Sequence, residues 1–348
     1  MVGRVSAHPE PAERAKRKPA VMYDVARLAG VSHQTVSRVI NGSDHVRPET
    51  RDRVMAAMEK LDYRPNTVAR ALVTGKSQTL GVVTFDTTLY GPASTLVGIE
   101  RAAHAAGYFV SIVSLESLDR LAVLRAVERL RALGVDGVLI IAPQVASMGA
   151  LWDLPADLPI VAVEAGPQEG VPVAEVDQYH GAQLATQHLL ELGHPTVHHL
   201  AGPQDWAEAG QRIDGWRDAL DAAGARSYAP LRGDWSPRSG YELGRELLDQ
   251  PDVTAIFVAN DQMALGLLRV LHELGKDVPG DVSVVGFDDI PESEFFTPPL
   301  TTVRQDFNEM GRRSLHLLLA EIESGRRSNA RATVPASIVV RASTSPPR

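Results

Sequence analysis

The stretch YDVARLAGVSHQTVSRVINGS, residues 23–43, sets two short amphipathic segments either side of a small-residue turn, Ala29-Gly30-Val31. In the first, a helix from Tyr23 to Ala29 puts Val25, Ala26 and Ala29 on one face. Gly30 supplies the sharp turn. Ser32 then serves as N-cap of a second helix reaching Ile40, and Gly42 stands just past its end. Val36 and either Val39 or Ile40 face inward, which leaves His33, Gln34, Ser37 and Arg38 mostly outward. A third helix is expected from Pro48 to Leu61, with Val54, Met58 and Leu61 at helical spacing. Two helices, a tight turn and a supporting third helix make a helix-turn-helix unit. Short polar side chains with an arginine on its second helix suit base edges in a DNA major groove. A plain three-helix bundle would bury the same positions, so the charge has to discriminate.

It does so clearly. Residues 1–76 contain 14 Lys/Arg against 8 Asp/Glu, whereas the remainder contains 21 against 35, so a small basic module precedes a large acidic one. Only the basic module suits a polyanion. There is no cysteine, which removes disulfides, thiolate zinc sites and cysteine nucleophiles together. No apolar run is long enough to span a membrane. Residues 1–20, MVGRVSAHPEPAERAKRKPA, are polar and basic without the apolar core of a signal peptide, so a disordered basic tail on a cytoplasmic protein is expected.

From residue 78 onward the pattern changes. Apolar runs at Leu80–Phe85, Tyr108–Val113, Gly137–Ala142, Pro159–Val163, Val197–Ala201, Thr254–Ala259 and Val282–Phe287 read as strands. Helical segments near 93–107, 120–133, 178–192, 209–223, 238–249 and 261–274 separate them. This alternation gives an α/β class with doubly wound parallel sheets, and the length asks for two lobes. Ligands of such folds sit beyond the carboxyl ends of the strands. Polar residues stand at those ends: Asp86, Glu164, Asn260, Asp261, Asp288 and Asp289. Asp261, before QMALGLL, reads as a helix N-cap. Together with Trp235 in a loop, these groups suit a carbohydrate, whose C–H face stacks on a ring and whose hydroxyls match carboxylates and amides. No nucleophile elbow, phosphate-binding glycine loop or metal-ligand spacing is apparent. His180 and His188 are eight apart, and the histidines of HPTVHHL (His194, His198, His199) alternate along a strand. Neither an enzyme, a cofactor nor a metal site is therefore expected.

MYDVARLAGVSHQTVSRVINGSDHVRPETRDRVMAAMEKLDYRPNTVARALVTGKSQTLGVV closely resembles the DNA-binding domain of the LacI/GalR family of bacterial transcription regulators. AGPQDWAEAGQRIDGW, GDWSPRSGYELG, VANDQMALGLLRVL and PASIVVRAST carry the likeness from about residue 21 to about 341. The resemblance implies a helix-turn-helix domain over 21–64 and a hinge over 65–77. A two-lobed periplasmic-binding-protein-like domain would follow over 78–342, with a tail at 343–348. The first lobe would take about 78–176 and 307–335, the second about 177–305 and 336–342. His33 and Gln34 would be the main base-reading positions, with Ser32, Ser37 and Arg38 beside them. Tyr23, Thr35, Asn41, His45 and Asn66 would touch phosphates or sugars. Residues 66–72 would fold into a hinge helix on DNA and push Leu72 into the minor groove, with Ala69 on its packing face.

In the cleft between the lobes, Arg212, Asn260 and Asp288 would hydrogen-bond a sugar and Trp235 would stack on it. Gln305, Phe307, Leu89 and Pro92 would complete the walls. Glu164 is one methylene longer than its Asp counterpart in a close member of the family, and Trp206, Glu208 and Gly210 replace small, polar and basic residues there. The implied function is a dimeric repressor, without a heptad tail to join dimers, released from a palindromic operator by a galactoside or other disaccharide. An extracytoplasmic sugar-binding protein would instead need a signal peptide and no helix-turn-helix. Phosphate contacts made by the basic module displace counterions. The logarithm of operator affinity is thus expected to fall steeply and linearly with the logarithm of salt concentration in filter-binding titrations, and a flat line would remove the phosphate contacts.

Overall fold

The computed structural model describes residues 20–40, 45–64, 76–116, 119–144, 154–166, 170–250 and 253–348. The chain forms two compact units, Met1–Ser77 and Gln78–Arg348. In the first unit, helices α1 (Met22–Ala29), α2 (His33–Ile40) and α3 (Pro48–Lys60) pack around Val25, Ala26, Ala29, Val36, Val39, Val54 and Ala57. Gly30 ends α1 at φ 64°, its N–H reaching Ala26 O. A side chain with a Cβ rarely adopts that conformation, which is why a glycine marks the turn. Ser32 Oγ accepts from Thr35 N at 3.1 Å and so starts α2. The core of this unit is small, and the helical spacing anticipates all of it but Ala57, while Met58 and Leu61, expected inside, are only partly buried.

The second unit contains two six-stranded sheets. The first is built from β1 (Thr79–Phe85), β2 (Phe109–Leu115), β3 (Gly137–Ile141), β4 (Ile160–Val163), β5 (Val173–Val176) and β11 (Arg331–Val334), in the order β11-β5-β4-β3-β1-β2, all parallel. Parallel strands buried on both faces demand continuous aliphatic runs rather than alternation. β1 shows why: Leu80 and Val82 pack toward α4 (Tyr90–Ala105) and α10 (Phe307–Ser324), while Val83 packs toward α5 (Arg120–Ala132).

The second sheet joins β6 (His198–Ala201), β7 (Leu231–Arg232), β8 (Ala255–Val258), β9 (Ser283–Asp288), β10 (Thr301–Arg304) and β12 (Ser337–Val339), in the order β12-β10-β9-β8-β6-β7. Only the β10–β12 pair is antiparallel. Helices α6 (Gln178–Glu191), α7 (Ala207–Ala222), α8 (Pro237–Leu247) and α9 (Asp261–Glu273) cover it. The chain passes from one sheet to the other three times, between β5 and α6, β10 and α10, and β11 and β12. The α/β architecture expected from the alternation is thus present. The strands β5, β7, β10, β11 and β12 and the helix α10 were not anticipated.

Two expectations are corrected. Asp261 is not the N-cap of α9: Asn260 Oδ1 accepts from Met263 N at 2.9 Å, and Asp261 lies inside the first turn. Residues 343–348 are not a loose tail either. Ser343 is fully buried and donates to Val284 O at 2.6 Å, while Val284 N donates to its carbonyl at 2.8 Å. These bonds seat the segment beside the interior strand β9, just ahead of β10, and satisfy backbone groups that would otherwise be orphaned.

Two glycines bring a pair of helices into unusually close contact. A Cβ on Gly311 would fall 2.1 Å from the backbone of Gly98, and one on Gly98 would fall 2.1 Å from Phe307 O. α4 and α10 therefore touch backbone to backbone, which sets Tyr90 and Phe307 edge to face at 5.7 Å. Gly311→Ala is expected to lower stability by about 1–3 kcal/mol or more by forcing the helices apart, read as a fall in the urea midpoint.

Candidate DNA-binding surface and effector pocket

In the first unit the apolar face of α2 is buried and its polar face is not. Ser32, His33, Gln34 and Arg38 are exposed, and Thr35 and Ser37 are partly exposed. Tyr23, 67% exposed, stands on α1, and His45 is exposed ahead of α3. Asn41, Asn66, Ala69 and Leu72 lie outside the described residues. What the fold offers here is a short helix with an outward polar edge, its start set by Gly30 and Ser32.

In the second unit, Leu89, Pro92, Glu164, Trp206, Arg212, Trp235, Asn260, Asp288, Gln305 and Phe307 all line one pocket. They come from strand ends and helix starts far apart in the chain. Tyr90, Gly91, Thr95, Ile141, Pro143, Glu208 and Gln262 complete the lining. Sequence reasoning noted Glu208 only as a departure and missed the others. Tyr90 and Thr95 had a signal, since they share the helix start with Pro92. Ile141 and Pro143 had none, being indistinguishable from core.

Several residues around this cavity hold a left-handed backbone without being glycine: Glu164 (φ 57°), Trp235 (φ 72°) and Asp288 (φ 110°). Such conformations cost roughly 1–3 kcal/mol each and persist where surrounding structure enforces them, commonly at functional sites. Here each one turns a side chain from a strand end or loop toward the cleft.

Arg212 organises the floor. Its side chain is 2% exposed, an arrangement that is costly unless the guanidinium is fully engaged. Nε donates to Gln178 Oε1 at 2.9 Å and Nη1 donates to Ala259 O. The guanidinium also lies over the Phe287 ring, 3.8 Å from its centroid. Gln178 Nε2 donates to Gln305 Oε1 at 2.9 Å, and Gln305 Nε2 to Asp288 Oδ1 at 2.6 Å. Asp288 Oδ1 in turn faces Arg212 Nη2 at 3.8 Å, closing a circuit of four side chains. Glu208 Oε2 stands at the same distance from Nη2.

The aromatic wall is equally constrained. Trp235 lies so flat on Gly202 that a Cβ there would fall 2.1 Å from its ring. Trp206 meets it edge to face, centroids 5.5 Å apart. Trp235 Nε1 is buried without a hydrogen-bond partner in the described structure. Asn260 Nδ2 donates to Trp235 O at 3.1 Å, so the residue that caps α9 also holds the tryptophan loop.

Burial raises the pocket carboxyls. Asp288 is pushed up to about 6 despite the opposing pull of Arg212 and Gln305. Glu208 is pushed up to about 7, again against Arg212. Glu164 is held well above its ordinary value, first by burial and then by the charge of Glu208. Asp261 plays another part. Buried behind the pocket, it accepts from Thr302 Oγ1 at 2.6 Å and Ile290 N at 2.9 Å, clamping β9 and β10 to α9. The clustered histidines are structural as well: His199 Nδ1 meets Phe257 O at 2.9 Å, and burial lowers its pKa to about 3.

With this geometry in view, two family descriptions match the chain: bacterial regulatory proteins of the lacI family over residues 21–66, and a periplasmic binding protein-like domain over residues 186–344. It is 37% identical over 336 residues to the lactose operon repressor of Escherichia coli (strain K12), spanning 95% of this chain and 92% of that protein. The chain belongs to the lacI family of bacterial regulatory proteins. Another lacI-family relative, the HTH-type transcriptional regulator CelR of Thermobifida fusca, is 37% identical, covering 94% of this chain and 99% of that one. A lac repressor dimer bound to operator and the anti-inducer ONPF matches at TM-score 0.83 and 37% identity, over 94% of this chain and all of that one. A CelR–cellobiose complex matches at TM-score 0.69 and 35% identity, over 93% and 99% of the two chains. The sequence resemblance to this family is therefore borne out.

The raised carboxyl of Glu208 has a definite linkage sign. Its folded pKa lies above that of the unfolded chain, so its contribution to stability is complete at low pH and is lost as pH rises through about 7. Thermal unfolding of the ligand-free protein is expected to show Glu208→Gln more stable than the parent at pH 8, on the order of 2–3 kcal/mol. The two are expected to converge only below the unfolded pKa of a glutamate, at about pH 4.

Proposed function

We propose that this protein is a sugar-responsive transcriptional repressor that binds a two-fold operator as a homodimer and lets go when a sugar fills the cleft. His33 and Gln34 read bases from α2, assisted by Ser32, Ser37 and Arg38. Tyr23, Thr35, Asn41, His45 and Asn66 hold phosphates or sugars. The hinge over 65–77 pairs with its copy on DNA, with Ala69 packed and Leu72 wedged into the minor groove. The lobes divide at the three chain crossings, and the protein works in the cytoplasm, at the nucleoid.

The observation that carries this reading is the single cavity where two tryptophans and the Arg212–Gln178–Gln305–Asp288 circuit converge, in a chain that begins with a helix-turn-helix. A flat aromatic face beside bidentate polar groups suits a pyranose. Relatives whose names speak of lactose and of a cellobiose complex support the same class of ligand, a galactoside or other disaccharide. Release follows as a population shift. Sugar lowers operator affinity only as far as it prefers the lobe arrangement in which the two hinges are separated.

A thermal-shift screen against lactose, allolactose, galactose, cellobiose and maltose is the direct test. A saccharide at about a thousand times its dissociation constant adds roughly 4 kcal/mol of apparent stability, and the same compound is expected to release labelled operator. Trp235→Ala is expected to weaken that compound by about tenfold or more, as loss of a stacking face does. Silence across the saccharides would refute the sugar pocket.

A further inference from the structure

The pocket contains a charge imbalance that a neutral sugar would leave standing. Three lining side chains are carboxyls, Glu164, Glu208 and Asp288, and Arg212 is the one cation among the described lining residues. Arg212 is already largely committed, to Gln178, Ala259 O and the Phe287 ring. Only Nη2 turns to the acids, at 3.8 Å from both Glu208 and Asp288, too long for a hydrogen bond. Glu164 receives one backbone donor, Val176 N at 3.2 Å, which serves one of its two oxygens.

The charged groups on neighbouring elements offer no relief. Glu175 on β5 is itself acidic and is held by Arg331 at 3.6 Å. Both oxygens of Asp261 are occupied by Thr302 and Ile290. Asp289 is tied to Arg304 and Arg341, each at 2.6 Å, so those two cations are spoken for. What remains is a pair of glutamates, one 5% exposed and the other with a side chain 15% exposed, opening on a cavity walled by tryptophan.

We propose that the effector of this pocket is an amino sugar, whose ammonium group sits between Glu164 and Glu208 while its ring lies on Trp235. This rests on reading the cavity as the effector site. An ammonium offers three donors and a positive charge, and two carboxylates supply the matching acceptors and charge. Such charge-assisted bonds are shorter and stronger than those to a hydroxyl. Two buried carboxyls without an adequate counter-ion hold on to protons. A cationic ligand replaces a proton there, so its binding releases one. Glu208 in particular would be a specificity-determining residue, since it lines the pocket with no hydrogen-bond-length contact to Arg212.

The test compares three disaccharides of similar shape by isothermal titration of the full-length protein: β-1,4-linked glucosamine dimer, its di-N-acetyl derivative, in which the amines no longer carry charge, and cellobiose, in which hydroxyls replace them. The free amine is expected to bind at least about tenfold more tightly than either neutral compound at pH 7. One released proton makes that margin widen by up to about tenfold per pH unit between pH 5.5 and 7. Glu208→Gln, and independently Glu164→Gln, are expected to shrink the margin by about tenfold, each variant first shown to melt cooperatively and to bind operator. If cellobiose or the acetylated dimer binds and the free amine binds no better, the amino-sugar proposal is wrong and the effector pocket stands. If none of the three, and no saccharide of the wider panel, binds, both fall. A margin that survives both glutamine variants would also overturn it.

Discussion

A buried guanidinium is costly to leave unsatisfied, because it keeps its charge and water would solvate it with five hydrogen bonds. The protein offsets part of that loss for Arg212 with groups from separate parts of the chain: hydrogen bonds to Gln178 at the first residue of α6 and to Ala259 O at the end of β8, the Phe287 ring on β9, and two acids 3.8 Å from Nη2. Gln178 then fixes Gln305, and Gln305 fixes Asp288. Because Gln178 and Gln305 sit on two of the three crossings between the sheets, the same bonds that stabilise the arginine tie the crossings together. The circuit therefore lies where a change of lobe arrangement would be felt.

The surrounding packing serves that circuit. Gly202 lets the Trp235 ring lie against β6, and Asn260 holds the tryptophan loop through its side-chain amide. The Gly98–Gly311 contact draws α4 and α10 together and sets Tyr90 against Phe307 on the opposite wall. Strained backbone at Glu164, Trp235 and Asp288 is the local cost of aiming three side chains from strand ends and loop into one space. Tight glycine contacts on either side make that cost tolerable, since neither wall can relax without losing close packing.

Legibility in the sequence followed how apolar each element is. Helices of 11–16 residues and aliphatic strands were read to within a few residues, β4 (IVAV) and β8 (AIFV) among them although each has only four residues. β5, β10 and β11 are as long but are interrupted by Glu175, by Thr301 and Thr302, and by Arg331 and Thr333, and they were not seen, nor were the shorter β7 and β12. α10, at 18 residues, was missed for a different reason: it follows the loop-rich SEFFTPPL stretch, and its inward positions include Ser314 and Glu321, which blur the apolar stripe. The site residues themselves were legible as polar groups at strand ends. Their roles were not: Asn260 and Asp261 stand side by side, and only the fold shows that the first caps α9 while the second clamps Thr302 and Ile290.

By itself the sequence determined the helix-turn-helix, through Gly30, Ser32 and helical spacing, and the α/β layering, through two-sided aliphatic strands. These depend on local geometry and on which face a side chain must bury, and both are written in neighbouring residues. Tertiary structure alone decided that ten residues spread from Leu89 to Phe307 share one pocket, that a single arginine serves two acids, and that Glu208 opposes the ionisation of Glu164. The physical reason is that charge, burial and hydrogen bonding act through space. The energy of a carboxyl at position 164 depends on a residue 44 places away, which no local pattern can show.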